Sequence, residues 1–133
     1  MASDWVDAVL DGAVAQVTGI ASLEVSLHDS EPDLTNPAAT ELGIVTRVFI
    51  DSGDWSAPET DGIYRQQRST LELNFGTASG NGSASWLVLW DATSGSATPV
   101  GKIQLTTEET IQEGQPVIIP AGNLVIRAAG QPE

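Results

Sequence analysis

The sequence predicts an all-β protein, an antiparallel β-sandwich or jelly-roll-like domain led by one short N-terminal helix. Three observations predict it. From residue 22 onward, apolar residues recur with period two in short runs, the pattern of strands with one buried face. Segments rich in Gly, Pro, Asn or Asp separate the runs and can reverse the chain. At 133 residues with 41% hydrophobic content, the chain is long enough for one core and too short for several. The expected partition is a helix and arm over 1–21 followed by a β-sandwich domain over 22–133.

The helix is expected over residues 3–11, "SDWVDAVLD". Ser3 can cap it, Asp4 complements its positive end, and Gly12 follows. Trp5, Val6, Val9 and Leu10 form its apolar stripe. So short a helix must dock on its own core or on a neighbouring subunit. Trp5, Val6 and Val9, with Trp55 from a later loop, are therefore the candidate partner-binding residues.

In "SLEVSLH", 22–28, Leu23, Val25 and Leu27 share one face and Ser22, Glu24, Ser26 and His28 the other. "IVTRVFI", 44–50, is the next expected strand, and "STLELNF", 69–75, places Leu71, Leu73 and Phe75 inward. "SASWLVLWD", 83–91, is apolar on both faces, with Trp86, Val88 and Trp90 on one and Leu87 and Leu89 on the other. Two readings account for it: a central strand covered by a second sheet and the helix, or a tryptophan face left open to anchor another subunit or a sugar. "GKIQL", "PVIIP" and "NLVIRA" complete the set. Facing sheets are the arrangement that buries this many one-sided strands.

Eighteen acidic residues against five basic ones give a formal net charge of −13. Such a chain repels nucleic acid and anionic membrane surfaces, because both are bound through Lys and Arg. The charge either keeps the surface solvated or complements a basic partner. There is no cysteine, hence no disulfide and no thiolate chemistry. The N-terminus lacks the basic and apolar regions of a secretory signal, and no apolar run approaches the ~20 residues of a membrane span. The chain is expected to fold in the cytoplasm and stay soluble or join an assembly.

No catalytic, cofactor-binding or metal-binding residue is expected. The single histidine, His28, lies in "HDS", where neighbours at a strand end point apart, so a Ser-His-Asp relay does not form and His28 is expected at the surface. One histidine without cysteine makes a poor zinc site. Asp51, Asp54, Glu59 and Asp61 share one loop and Asp29, Glu31 and Asp33 another, but the spacing of a calcium loop is absent. "GTASGNGS" lacks a lysine and precedes a strand, unlike a phosphate-binding loop.

The order of several short segments resembles the small tailed-bacteriophage virion proteins of tail fibre-like or head decoration type. A strand ending in an "LHTADP"-like tag is matched by Leu27-His-Asp-Ser-Glu-Pro32. An "E-x-x-G-x-Y-x-R" element is matched by Gly62-Ile-Tyr-Arg-Gln66, and a tryptophan-rich strand ending "DA-x-SG" by Trp90-Asp-Ala-Thr-Ser-Gly95. A "G-x-L-T" strand and an "AGD"-type turn correspond to Gly101–Thr106 and Ala121–Ile126. The chain departs from the pattern where "GIVTRVFIDSGDWSAPETDG" inserts a strand and loop.

The resemblance implies a non-enzymatic virion component with a β-sandwich-like fold, assembled in the host cytoplasm. With neither heptads nor repeats to give reach, the first expectation is a capsid decoration or cement protein. It would bridge subunits of the major capsid protein, or contact another virion protein, as a homo-oligomer in a symmetric assembly. The alternative is a tail or tail-fibre component that contacts the host surface.

Overall fold

The computed structural model describes the backbone of residues 2–129 and the side chains of residues 8–128. It is built mainly of antiparallel strands with one helix, a sandwich-like all-β fold. The chain forms two compact units interleaved in sequence, one from residues up to 21, 51–72 and 119 onward, the other from 22–50 and 73–118. The chain returns to the helix-bearing unit in mid-sequence and again toward its end.

The larger unit is organised by β1 (Ser22–His28) and β6 (Gly82–Asp91). They pair antiparallel in a four-stranded sheet of order β2-β1-β6-β7, with β2 at Val48–Asp51 and β7 at Thr98–Ile111. Val25 lies opposite Leu89 and Leu27 opposite Leu87, so the apolar parities of the two strands fall on one face. All four side chains are buried, as are Leu73 and Phe75 of β5 (Leu73–Thr77), which pairs with β8 (Pro116–Ile119). Removing these apolar surfaces from water is the main stabilising term, about 25 cal/mol per Å². β7 shifts register twice against β6, between Ala84 and Trp86 and between Leu89 and Trp90. Such bulges twist a long edge strand and blunt it as a template for stray pairing.

The smaller unit sets α1 (Ala2–Thr18) against a three-stranded sheet of order β3-β4-β9, with β3 at Glu59–Asp61, β4 at Tyr64–Arg68 and β9 at Val125–Ala129. Its buried apolar side chains include Val14, Trp55 and Leu124. The β3–β4 hairpin turns at Gly62, whose φ of 62° lies in the left-handed region that favours glycine. "PETDG" and "YRQQR" have few apolar residues, and the expectation of a single loop from Asp51 to Asp61 is corrected: Glu59–Asp61 is a strand, and polar side chains hold this hairpin. Gln66 Nε2 and Arg68 Nε donate to Glu59 Oε1 at 2.9 and 2.7 Å.

Three further expectations are corrected. The helix runs 17 residues, through Gly12, because its later turns are pinned to β4. Arg65 grips the Asp11 carboxylate through Nε and Nη2 at 2.8 and 3.0 Å, and Thr18 Oγ1 donates to Gln67 Oε1 at 2.7 Å. The expected strand at 44–50 shrinks to β2, with a turn over 43–45. Leu71 is half-buried and precedes β5, whereas Leu73 and Phe75 are in the core as expected.

Gly12, within the helix, and Gly19, which follows it, differ in what a side chain would meet. A Cβ on Gly12 would find nothing within 4 Å, while one on Gly19, just past the helix, would sit 2.7 Å from the Ala15 carbonyl oxygen. Gly12→Ala should therefore raise stability by about 0.5–1 kcal/mol through helix propensity, and Gly19→Ala should lower it. Urea unfolding of the two variants checks both signs.

Candidate functional site

A connected group of buried polar side chains lies on the second face of the β1–β6 pair. Register puts Glu24, Ser26 and His28 of β1 opposite Trp90, Val88 and Trp86 of β6, so the polar side of one strand meets the tryptophan side of the other. The residues that follow β1 fold back over this face. Leu42 N donates to Leu27 O at 2.9 Å, Asp29 N to Thr40 O at 3.2 Å, and Glu41 forms a bridge with His28.

Beneath that cover His28 is 0% exposed and Ser26 2%. The expectation of a surface His28 is corrected, because the fold-back replaces solvent with Thr40 and Arg47. Ser26 Oγ lies 2.7 Å from His28 Nε2, and His28 Nδ1 lies 2.8 Å from Thr40 Oγ1. Trp90 Nε1, which can only donate, gives its proton to Ser26 Oγ at 2.8 Å, and Thr40 Oγ1 donates to Pro37 O at 3.4 Å. One assignment gives every proton in this chain an acceptor. Ser26 donates to an unprotonated Nε2, and Nδ1–H donates to Thr40. His28 is then a neutral imidazole, and burial, the largest influence on it, holds its pKa below the ordinary value.

Arg47 closes the edge of this centre. Its guanidinium stacks 3.9 Å above the Trp90 ring, binds both Glu41 oxygens at 2.8 Å and lies 3.8 Å from Glu24. The hydrogen bonds it donates to Glu41 hold the Arg47 pKa above its ordinary range. This resolves the two readings of the tryptophan strand: Trp90 is 6% exposed, its face covered by Arg47 and the residues that follow β1, while Trp86 is half-buried under Lys102 at 5.8 Å.

A serine within hydrogen-bond reach of a histidine is the first half of a nucleophilic pair. Here the Ser26 oxygen is buried and already accepts the Trp90 proton, and the outer imidazole nitrogen meets a threonine where a relay would place a carboxylate. The arrangement can order side chains, but it presents no nucleophile to a substrate. Sequence reasoning missed the centre. The available signal was the Ser26/His28 spacing of two, which places both on one face.

Elsewhere the basic groups are committed within the chain. All five basic residues are in ion pairs: Arg47 as above, Arg65 with Asp11, Arg68 with Glu59, Lys102 with Glu31 and Arg127 with Asp61. The Asp11 carboxyl is held below its ordinary pKa first by its hydrogen bonds from Arg65. Lys102 also donates to Pro32 O and, with Glu31, Pro32, Asp33 and Leu34, lines a shallow surface depression. Among the described residues, no three His, Asp or Glu side chains converge to hold a metal ion.

Of the residues assigned to partner binding, the side chains of Trp5 and Val6 lie outside the described residues. Val9 is 51% exposed on the helix. Trp55 is 8% exposed, because its loop pairs with residues 68–70 through a bridge to Ser69 and the bonds Ser56 N to Arg68 O and Thr70 N to Asp54 O. Val9 and Trp55 both belong to the smaller unit, Val9 at its surface and Trp55 in its interior. Other large apolar side chains at the surface are Phe49, Ile63, Val100 and Ile118.

Residues 1–127 match the family model described as Podophage GP4 fiber I protein gp80. No curated protein matches the chain.

Ser26→Ala should leave both Trp90 Nε1 and His28 Nε2 buried without partners and lower stability by about 2–4 kcal/mol, most of it desolvation. Ser85→Ala, which loses a hydroxyl that bonds Asp29 O at an exposed position, should stay within about 0.5 kcal/mol of the parent. Paired urea titrations check the contrast.

Proposed function

The chain belongs to the podophage GP4 fiber I protein gp80 family, a family of bacteriophage virion structural proteins, and from that premise we propose that it is a compact, non-enzymatic contact unit of the virion's fibre apparatus. The observation that carries this reading is the family match along nearly the whole chain. The sealed Ser26–His28 pair supports the non-enzymatic part, since the one arrangement resembling a nucleophilic pair is closed to substrate.

In this role the chain works by surface contact. Its cations are engaged internally, so the outward surface is acidic and suits a protein partner in the virion better than nucleic acid or an anionic membrane. Val9, outward on a helix that its own unit already anchors, is the apolar contact assigned to that partner, while Trp55 serves the interior of its unit. Copies arranged in a symmetric assembly would multiply a modest affinity.

A second reading is a head decoration protein bridging capsid subunits, favoured by the short chain without heptads or repeats. Copy number separates the two. Quantitative mass spectrometry of purified virions, scaled to the major capsid protein, should find the chain at a handful of copies per particle. Hundreds of copies would replace the fibre reading with decoration, and absence from virions would overturn both.

A further inference from the structure

The buried centre contains the one side chain whose ordinary pKa lies in the mildly acidic range, and it ties a fold-back segment to β1. Residues 37–42 reach β1 through the bond from His28 to Thr40, the His28–Glu41 bridge, and the backbone bonds Asp29 N to Thr40 O and Leu42 N to Leu27 O. Residues 44–46 are tethered independently, by Thr46 N to Phe75 O and Ser79 N to Ile44 O. The cover over β1 is therefore tied once through the His28 imidazole, at Thr40, and otherwise through the backbone of residues 40–42 and the separate tether at 44–46.

We propose that His28 is an acid-sensitive latch, in which proton uptake at Nε2 loosens residues 37–42 from β1 while the surrounding sheet stays formed. A proton on Nε2 turns that nitrogen from acceptor into donor. Ser26 Oγ then faces two donors, the imidazolium and Trp90 Nε1, and its own hydroxyl proton loses its acceptor in a site 2% exposed. The imidazolium is also a buried charge, which the site stabilises least when closed.

The charges around His28 set the balance. From β1 and the residue after it come Glu24 and Asp29, and from the fold-back segment Glu41 and Arg47. β6 contributes the uncharged Trp86, Val88 and Trp90, and β7 contributes Lys102, which lies over Trp86 opposite His28. Glu41 and Asp29 favour the cation, but both oxygens of Glu41 are engaged by Arg47, whose own charge opposes it. Burial acts in the same direction as Arg47 and is the larger influence, so the closed form prefers neutral His28. Because the folded pKa is depressed, the latch contributes its full stability above the ordinary imidazole value of about 6.5 and loses it as pH falls from there through the lowered folded value.

The test uses the full chain, where a single histidine gives a single imidazole signal. NMR titration should place the His28 midpoint below about 6.5 and show the Nδ1–H tautomer at neutral pH. Amide exchange, corrected for its intrinsic pH dependence, should show Leu42 and Asp29 losing protection by up to about tenfold per pH unit below 6.5. The β6 amide of Val88 should keep its protection. His28→Gln should abolish the pH dependence at Leu42, and if that variant does not fold, the parent data decide alone. A midpoint at or above 6.5, unchanged Leu42 protection while His28 titrates, or simultaneous loss of protection at Val88 would each overturn the latch.

Discussion

The pairing of β1 with β6 is the interaction on which the rest of the larger unit depends, because both faces of that pair are buried and for different reasons. On one face Leu23, Val25, Leu27, Leu87 and Leu89 are removed from water. On the other, Ser26, His28, Trp90 and Arg47 satisfy one another beneath residues 29–47. A face of the first kind tolerates many apolar sequences; one of the second kind demands particular partners, since an orphaned buried polar group costs about 1–3 kcal/mol. The polar side thus fixes the path of the fold-back segment.

The smaller unit meets a different constraint. Among the described residues few apolar side chains are buried in it, and its elements are joined by ion pairs: Arg65 to Asp11 across the helix and sheet, Arg68 to Glu59 and Arg127 to Asp61 across the strands. Arg127 also stacks over Tyr64 at 4.5 Å. With five basic residues in the chain, committing them all internally leaves the acidic excess facing outward. A surface of that kind repels nucleic acid and accommodates protein contact, in keeping with a virion structural family.

What could be read from the sequence followed from how many neighbours a signal requires. The alternation in "SLEVSLH" is local, and the strand falls on the expected residues. The tryptophan strand and the short strands near the C-terminus were likewise legible from periodicity and turn residues. The β3–β4 hairpin was not, because its strands are polar and their pairing depends on Glu59, Gln66 and Arg68 meeting in space. Sequence reading ends the helix at Gly12 because the bond that pins its added turns, Thr18 to Gln67, spans 49 residues. His28 was misplaced for the same reason: its cover arrives from a segment whose own sequence carries no strand or helix period. The resemblance in segment order pointed to the phage virion family that the family match supports.

Trp90 of the tryptophan strand is internal scaffolding, sealed by the chain's own residues, and the proposed function puts contact in the virion elsewhere on the surface. Electron cryomicroscopy of the virion at side-chain resolution tests it most directly. The account predicts a folded chain with Arg47 still seated on Trp90 and Ser26 and His28 enclosed, touching its neighbours through other surfaces. A neighbouring protein or glycan inserted against Trp90, with residues 29–47 displaced, would contradict it.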